Sequence, residues 1–290
     1  MQRICRIFCL STIALSVILA CSAPVAVAAA DDLPAEGKLV SINGMEMYYE
    51  VHGQGEPLVM LHFFAGSGEI WKPYIPAFSK HFRLIIPDLR GHGRSSILTT
   101  TFNHRQSALD VFALLDSLKI KEFRGIGCSS GGMTLLHMAT QQPERVKSMA
   151  LVGAASYWGK ESREHMRKET LDSLTNEDWR ILRSTHKHGD AQIRAIIQQF
   201  NDFKDVYDDM NFTSPLLSTI KAKTLIMHGD RDKYFPVEIP LEMYRSIPNS
   251  YLWIVPNGGH LPLQDNPQSG YTATLLQFFR GEWEGKNAPR

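Results

Sequence analysis

The sequence predicts an α/β fold with a mostly parallel central sheet, helices on both faces and a small helical insertion. Short apolar runs recur at Pro57 to Leu61, Arg83 to Ile86, Phe123 to Ile126, Val146 to Val152, Thr224 to Met227 and Leu252 to Val255. None alternates and each is bounded by turn residues, the pattern of strands buried on both faces. Amphipathic helical stretches separate the runs, and such alternation builds a parallel sheet. The rhythm then breaks between about Ser156 and Asn211, where the chain is polar and helical without a strand signal.

The N-terminus reads as a targeting segment. Arg3 and Arg6 precede an apolar run from Ile7 to Ala20, and Ala26 to Ala30 then leads into Asp31 and Asp32. Charge, apolar run and small-residue site in that order form a secretory signal. The run is short for a transmembrane span, which needs about 20 apolar residues. Residues 1–30 are therefore expected to be removed, with the mature chain exported to the periplasm or medium. A second reading places a lipid anchor at Cys21, because Ile18-Leu19-Ala20-Cys21 resembles a lipoprotein cleavage site, although Leu19 is not the usual residue there.

From the mature start, Lys38 to Ile42 and Glu46 to Val51 read as a hairpin joined at Asn43-Gly44, whose residues tolerate positive φ. Arg105 to Leu118 carries Ala108, Val111, Phe112, Leu115 and Leu118 on one helical face, and Ser130 to Gln141 carries Met133, Leu136 and Ala139. Within the insertion, Thr175 with Asp178 three residues later marks a helix start, and Ile193, Ile196, Ile197 and Phe200 form a helical stripe. The expected organisation is a core domain over 31–155 and 212–290, with a helical cap over 156–211.

Composition excludes several functions. A net charge of +1 without a basic tract argues against nucleic acid as a partner. Loss of Arg3 and Arg6 with the leader would leave 29 basic against 30 acidic residues. Of the four cysteines, Cys5, Cys9 and Cys21 lie in the leader, so Cys128 alone remains and no disulfide framework is expected. No Cys/His cluster has zinc spacing, and His186-Lys187-His188 reads as a solvated surface pair; neither metal nor cofactor is implied.

The strongest chemical signal is Gly127-Cys128-Ser129-Ser130-Gly131, set between a strand and a helix. A serine on that sharp turn projects above the sheet, and the next N–H, from Ser130, lies at a helix start where it can face an oxyanion. Gly125-Ile126-Gly127 could open a dinucleotide fingerprint, but Ser130 stands where its third glycine belongs. His260, in a glycine-rich loop after the last apolar run, could activate a serine hydroxyl. Asp230 and Asp232 follow the run Thr224 to Met227, and an acid there would orient an imidazole. The order serine, acid, histidine is that of a hydrolase triad.

Taken together, these motifs resemble the α/β-hydrolase family over about Gly37 to Phe279. Leu61-His62 with Gly66-Ser67-Gly68 and Trp71 is similar to its oxyanion loop, and Asp88 to Ser95 to its D-x-R-G-x-G-x-S segment. Gly127 to Gly131 is similar to its nucleophile turn, Gly229 to Asp232 to its G-x-x-D acid loop, and Gly259-His260 to its histidine position. The resemblance implies Ser129 as nucleophile, Asp232 as acid, His260 as base, and the N–H groups of Phe64 and Ser130 as oxyanion donors. One departure is Phe63, where the family usually has glycine. Phe63 and Phe64 would crowd the acyl side of the pocket, and Tyr157 and Trp158 are expected to line it from the cap.

The expected activity is hydrolysis of a small carboxylic ester or lactone through an acyl-enzyme. Carbon–carbon bond hydrolysis on the same triad is an alternative, and a non-catalytic ligand-binding protein of the same fold is a second. Asp230, beside the strand end, is expected only to close the local turn.

Overall fold

The computed structural model describes residues 37–265 and 270–283; the leader, its cleavage site and the anchor reading at Cys21 lie outside these residues. An eight-stranded sheet runs through the molecule in the order β1-β2-β4-β3-β5-β6-β7-β8. Its strands are β1 (Lys38–Ile42), β2 (Met45–His52), β3 (Pro57–Leu61), β4 (Arg83–Pro87), β5 (Phe123–Cys128), β6 (Val146–Val152), β7 (Lys223–Gly229) and β8 (Ser250–Val255). The first two form the expected hairpin, with Asn43 and Gly44 at φ of 42° and 73°. β2 meets β4 antiparallel, and every pairing from β4 to β8 is parallel.

The parallel strands are largely apolar because most of their length is covered on both faces. Leu58 to Leu61, Leu84 to Ile86, Met149 to Val152 and Leu225 to Met227 are all buried. Two long helices carry the central crossovers: α1 (His104–Ser117) and α2 (Ser130–Gln141). Asn103 caps the first, accepting from Gln106 N–H at 2.6 Å. Their apolar faces pack on each other and on the strands, with Ala108, Val111, Leu115, Met133, Leu136 and Ala139 all buried.

Between β6 and β7 the chain leaves the sheet. Residues 156–211 hold α3 (Lys160–Lys168), α4 (Asn176–Thr185) and α5 (Gly189–Asp202). A bridge between Tyr157 and Asn211 closes the excursion at its base, beside a bond from Phe212 N–H to Ser156 O of 2.9 Å. Thr175 caps α4 by accepting from Asp178 N–H, while Asp178 accepts in return from Thr175 N–H at 2.8 Å. Ile193, Ile196 and Ile197 on α5 are fully buried, so this insertion packs down rather than standing in solvent. Two further helices, α6 (Glu238–Ser246) and α7 (Tyr271–Phe279), complete the α/β pattern. Among the described residues no helix is long and apolar enough to cross a membrane.

One surface expectation is overturned here. His186 is buried, not solvated: Nδ1 accepts from Gly93 N–H at 2.9 Å and Nε2 donates to Ala65 O at 3.2 Å. Only His188 of the pair sits near the surface. After α4 the chain turns inward, and the imidazole satisfies two backbone groups that would otherwise be stranded.

Candidate active site

The site is assembled at the carboxyl ends of the parallel strands, where loops from successive crossovers converge. β5 runs straight into α2 through Ser129, whose φ and ψ are 49° and −113°. L-residues rarely adopt such a backbone, which costs on the order of 1–3 kcal/mol. It is held by Ser129 N–H donating to Val152 O at 2.8 Å and by Met133 N–H donating to Ser129 O at 2.9 Å. The flanking glycines are steric necessities. A Cβ on Gly127 would lie 2.4 Å from Gly131 C, and one on Gly131 would lie 2.4 Å from Leu61 O.

From this turn the Ser129 hydroxyl lies 3.0 Å from His260 Nε2. His260 Nδ1 lies 2.7 Å from Asp232 Oδ2. With the proton on Nδ1, the imidazole donates to the carboxylate and presents a lone pair to the serine hydroxyl. The acid loop after β7 supplies Asp232 and not Asp230. The side chain of Asp232 is fully buried and uses its second oxygen, Oδ1, to accept from Tyr234 N–H at 2.8 Å and Phe235 N–H at 3.1 Å. Burial pushes its carboxyl up, but the His260 imidazole and the bond from it outweigh this and hold it below the usual range. The group therefore remains an anion facing His260.

Asp230 does not close the turn as expected. Its carboxylate takes no hydrogen bond among the described residues, and Arg231 Nε stands 3.7 Å away. The turn is closed by Asp232 instead, because its carboxylate points back over the N–H groups two and three residues ahead. Tyr234 and Phe235 then flank the His260 ring at centroid distances of 4.8 and 5.2 Å.

The loop after β3 lies against the turn that carries Ser129. His62 fixes it: Nδ1 donates to Phe63 O at 2.7 Å, and Nε2 accepts from Leu89 N–H at 2.9 Å. Burial pushes the His62 pKa down, so the ring is neutral, as those two bonds require. Asp88 clamps the far end, accepting from Gly68 N–H at 2.7 Å and from Arg94 Nε at 2.8 Å. Arg90 forms a bidentate pair with buried Asp110 on α1, both bonds 2.7 Å. The Asp88 to Ser95 segment thus braces the loop from behind. In the loop Phe64 precedes Ala65, which sits at a φ of 61°. Neither Phe64 N–H nor Ser130 N–H finds an acceptor among the described residues, so both remain available to a ligand.

Ser129 and His260 open into a cavity lined mainly by apolar side chains. Phe63 and Phe64 form one wall; Trp158, Met166, Phe200 and Phe203 reach in from the insertion. Phe64 packs edge-on against Phe203 at 5.1 Å. Tyr157, expected in the lining, is not part of it: its backbone bridges Asn211, and its hydroxyl turns toward Glu242. Neighbouring residues of an extended segment point to opposite sides, so Trp158 inside leaves Tyr157 outside. The wall also holds His104, Ser130 and Met133, of which the side chains of His104 and Ser130 carried no expectation from sequence. No group of three His, Cys, Asp or Glu side chains among the described residues is arranged to hold a metal.

Residues 56–180 match a family model described as the alpha/beta hydrolase fold. A 2-hydroxy-6-oxo-6-(2'-aminophenyl)hexa-2,4-dienoic acid hydrolase of Metapseudomonas resinovorans is 24% identical over 82% of this chain and 89% of its own. A pimeloyl-[acyl-carrier protein] methyl ester esterase of Vibrio vulnificus is 23% identical, covering 80% of this chain and 98% of its own. Among solved structures, a meta-cleavage product hydrolase from Pseudomonas fluorescens superposes with a TM-score of 0.70 at 23% identity, over 85% of this chain and 98% of that one. The last likeness is one of fold.

Proposed function

Because this chain belongs to the α/β-hydrolase family, whose members compared above are hydrolases, we propose that it cleaves a small carboxylic ester or lactone through an acyl-enzyme. The observation that carries the reading is the unbroken line from Asp232 through His260 to Ser129, with both bonds at 3.0 Å or less, facing an apolar cavity. Ser129 Oγ attacks the carbonyl carbon as its proton passes to His260 Nε2. The oxygen that becomes negative is received by Phe64 N–H and Ser130 N–H, backbone donors that need no reorganisation. His260 then returns the proton to the leaving alcohol as the carbon–oxygen bond breaks, and a water repeats the sequence to release the acid. Throughout, Asp232 holds the Nδ1–H tautomer and balances the imidazolium charge. The insertion over 156–211 serves as the cap that shapes the acyl side, with Trp158 beside Phe63 and Phe64.

The second reading is carbon–carbon bond hydrolysis, favoured by the names of the Metapseudomonas relative and of a 2-hydroxy-6-oxo-2,4-heptadienoate hydrolase of Pseudomonas putida. The test is labelling with a fluorophosphonate, followed by turnover of a panel of esters, lactones and vinylogous diketones. Labelling of Ser129 with ester or lactone turnover is expected. Turnover of diketones alone would move the assignment to carbon–carbon cleavage. A chain that neither reacts at Ser129 nor turns over any substrate would be a binding protein.

A further inference from the structure

The cavity wall contains a second serine–histidine–aspartate chain, one residue beyond the first. Ser130 Oγ lies 2.7 Å from His104 Nε2, and His104 Nδ1 lies 2.6 Å from Asp209 Oδ2. All three side chains are buried. Asp209 enters from the segment between α5 and β7, 105 residues from its partner, and also accepts from His104 N–H at 2.9 Å. Part of this is structural: the carboxylate caps the start of α1, and its backbone oxygen accepts from His137 Nε2 at 2.8 Å.

Capping does not account for the other end of the chain. His104 sits among Phe102, Trp158 and Phe203 at ring distances of 5.2 to 5.8 Å, where an apolar ring would pack without any polar partner. Its two nitrogens are both committed, one to Asp209 and one to Ser130. Ser130 Oγ is not saturated. A hydroxyl offers one donor and two acceptor sites. Among the described residues His104 is the one partner of Ser130 Oγ, and Ser130 lines the same cavity as Ser129. The third polar serine of that wall, Ser162, spends its hydroxyl on Tyr234 O at 2.7 Å.

We propose that Ser130 Oγ, oriented by His104 and Asp209, is a specificity-determining hydroxyl that binds an oxygen substituent on the acyl chain close to the scissile carbonyl. The proposal rests on Ser129 being the nucleophile. Ser129 and Ser130 are consecutive and line one cavity, so an oxygen held by Ser130 belongs on the acyl chain near the carbon that Ser129 attacks, and the 3-position is the one taken to the test. The favoured substrate class is therefore an ester or lactone of a 3-hydroxy or 3-oxo acid. The relay suits either oxygen. A neutral His104 accepts a hydrogen bond from the Ser130 O–H, leaving the Ser130 oxygen lone pairs for a substrate hydroxyl. A protonated His104 donates to Ser130 Oγ, freeing its O–H for a substrate carbonyl.

The experiment compares methyl butanoate, methyl 3-hydroxybutanoate and methyl 3-oxobutanoate by pH-stat, in the wild-type protein, Ser130→Ala and His104→Phe. The readout is the ratio of kcat/KM for an oxygenated ester to that for the plain one within a single variant, so a general loss of catalytic power cancels. The wild type should favour an oxygenated ester, and the ratio should fall roughly tenfold in Ser130→Ala, the effect of one neutral hydrogen bond. His104→Phe should lower it in the same direction, whereas a merely structural role would depress all three esters together. An unchanged ratio in folded Ser130→Ala, with the esters still turned over, would overturn the proposal and leave the ester reading standing. Fluorophosphonate attached to Ser130 in Ser129→Ala would also overturn it, by making Ser130 a nucleophile. Absence of turnover together with absence of label on Ser129 would remove the ester reading and this one with it.

Discussion

Replacing Asp232 by Asn separates the charge of the acid loop from its shape. In the structure Asp232 Oδ1 accepts from Tyr234 and Phe235 N–H, and Oδ2 faces His260 Nδ1 at 2.7 Å. The two N–H donors hold the amide oxygen of an asparagine on their side. Its NH₂ must then face His260, where it donates to Nδ1. The imidazole is driven to the other tautomer, with the proton on Nε2, and that nitrogen can no longer accept from the Ser129 hydroxyl 3.0 Å away. In triads of this kind the same substitution lowers turnover by ~10⁴-fold, or about 5.5 kcal/mol of transition-state stabilisation. Asp230→Asn provides the control in the same loop: its carboxylate has no hydrogen-bond partner among the described residues, so a change of a few-fold at most is expected. The assay is kcat on one activated ester, with circular dichroism to confirm that both variants are folded. A dead Asp230→Asn beside a nearly normal Asp232→Asn would refute the reasoning and reverse the assignment.

Three further outcomes are expected. Burial pushes the His186 pKa from 6.5 down to about 4, so the folded protein keeps this ring neutral while the unfolded chain protonates it. The associated stability, about 3 kcal/mol from that shift, is fully present above pH 6.5 and is lost as the pH falls toward 4; thermal melts should show a decline, to which buried His62, His92 and His137 also contribute, and His186→Gln should make it shallower. Trp158 is both core and cavity wall, its ring tilted against Phe203 at 4.8 Å, so Trp158→Ala should cost about 3 kcal/mol of stability and shift ester preference toward longer acyl chains; a steep fall in melting temperature with unchanged chain-length preference would show that the ring only packs. The leader reading is tested by intact mass of the exported protein: a start at or near Asp31 is expected, retention of Met1 in the cytoplasm would refute it, and a diacylated Cys21 would replace it with lipidation.

Much of this protein was legible in one dimension because its signals are local. Strands buried on both faces are mostly apolar, so β3 and β6 could be read to the residue from runs bounded by turns, even with Lys147 and Ser148 near the start of β6. The nucleophile turn was legible for a steric reason: with backbone 2.4 Å from where a Cβ would sit, only glycine is admitted at 127 and 131, and that leaves a mark in the sequence. The serine–acid–histidine order likewise survives in the chain. Which acid faces the histidine was not a local matter; the sequence offered two, and resemblance together with the place of Asp230 beside the strand end favoured Asp232. The tertiary structure shows the reason, since the N–H groups of Tyr234 and Phe235 claim one of its oxygens and turn the other toward His260. Contacts without spacing constraints left no trace at all. Asp209 meets His104 across 105 residues, and His186 reaches Ala65 across 121. A buried histidine and a solvated one look alike in sequence, because what distinguishes them is the backbone group brought to the ring by a distant part of the fold. The sequence thus determined where the chain could turn and where a serine could be exposed; only the tertiary packing of core and insertion together decided which polar groups share the cavity with it.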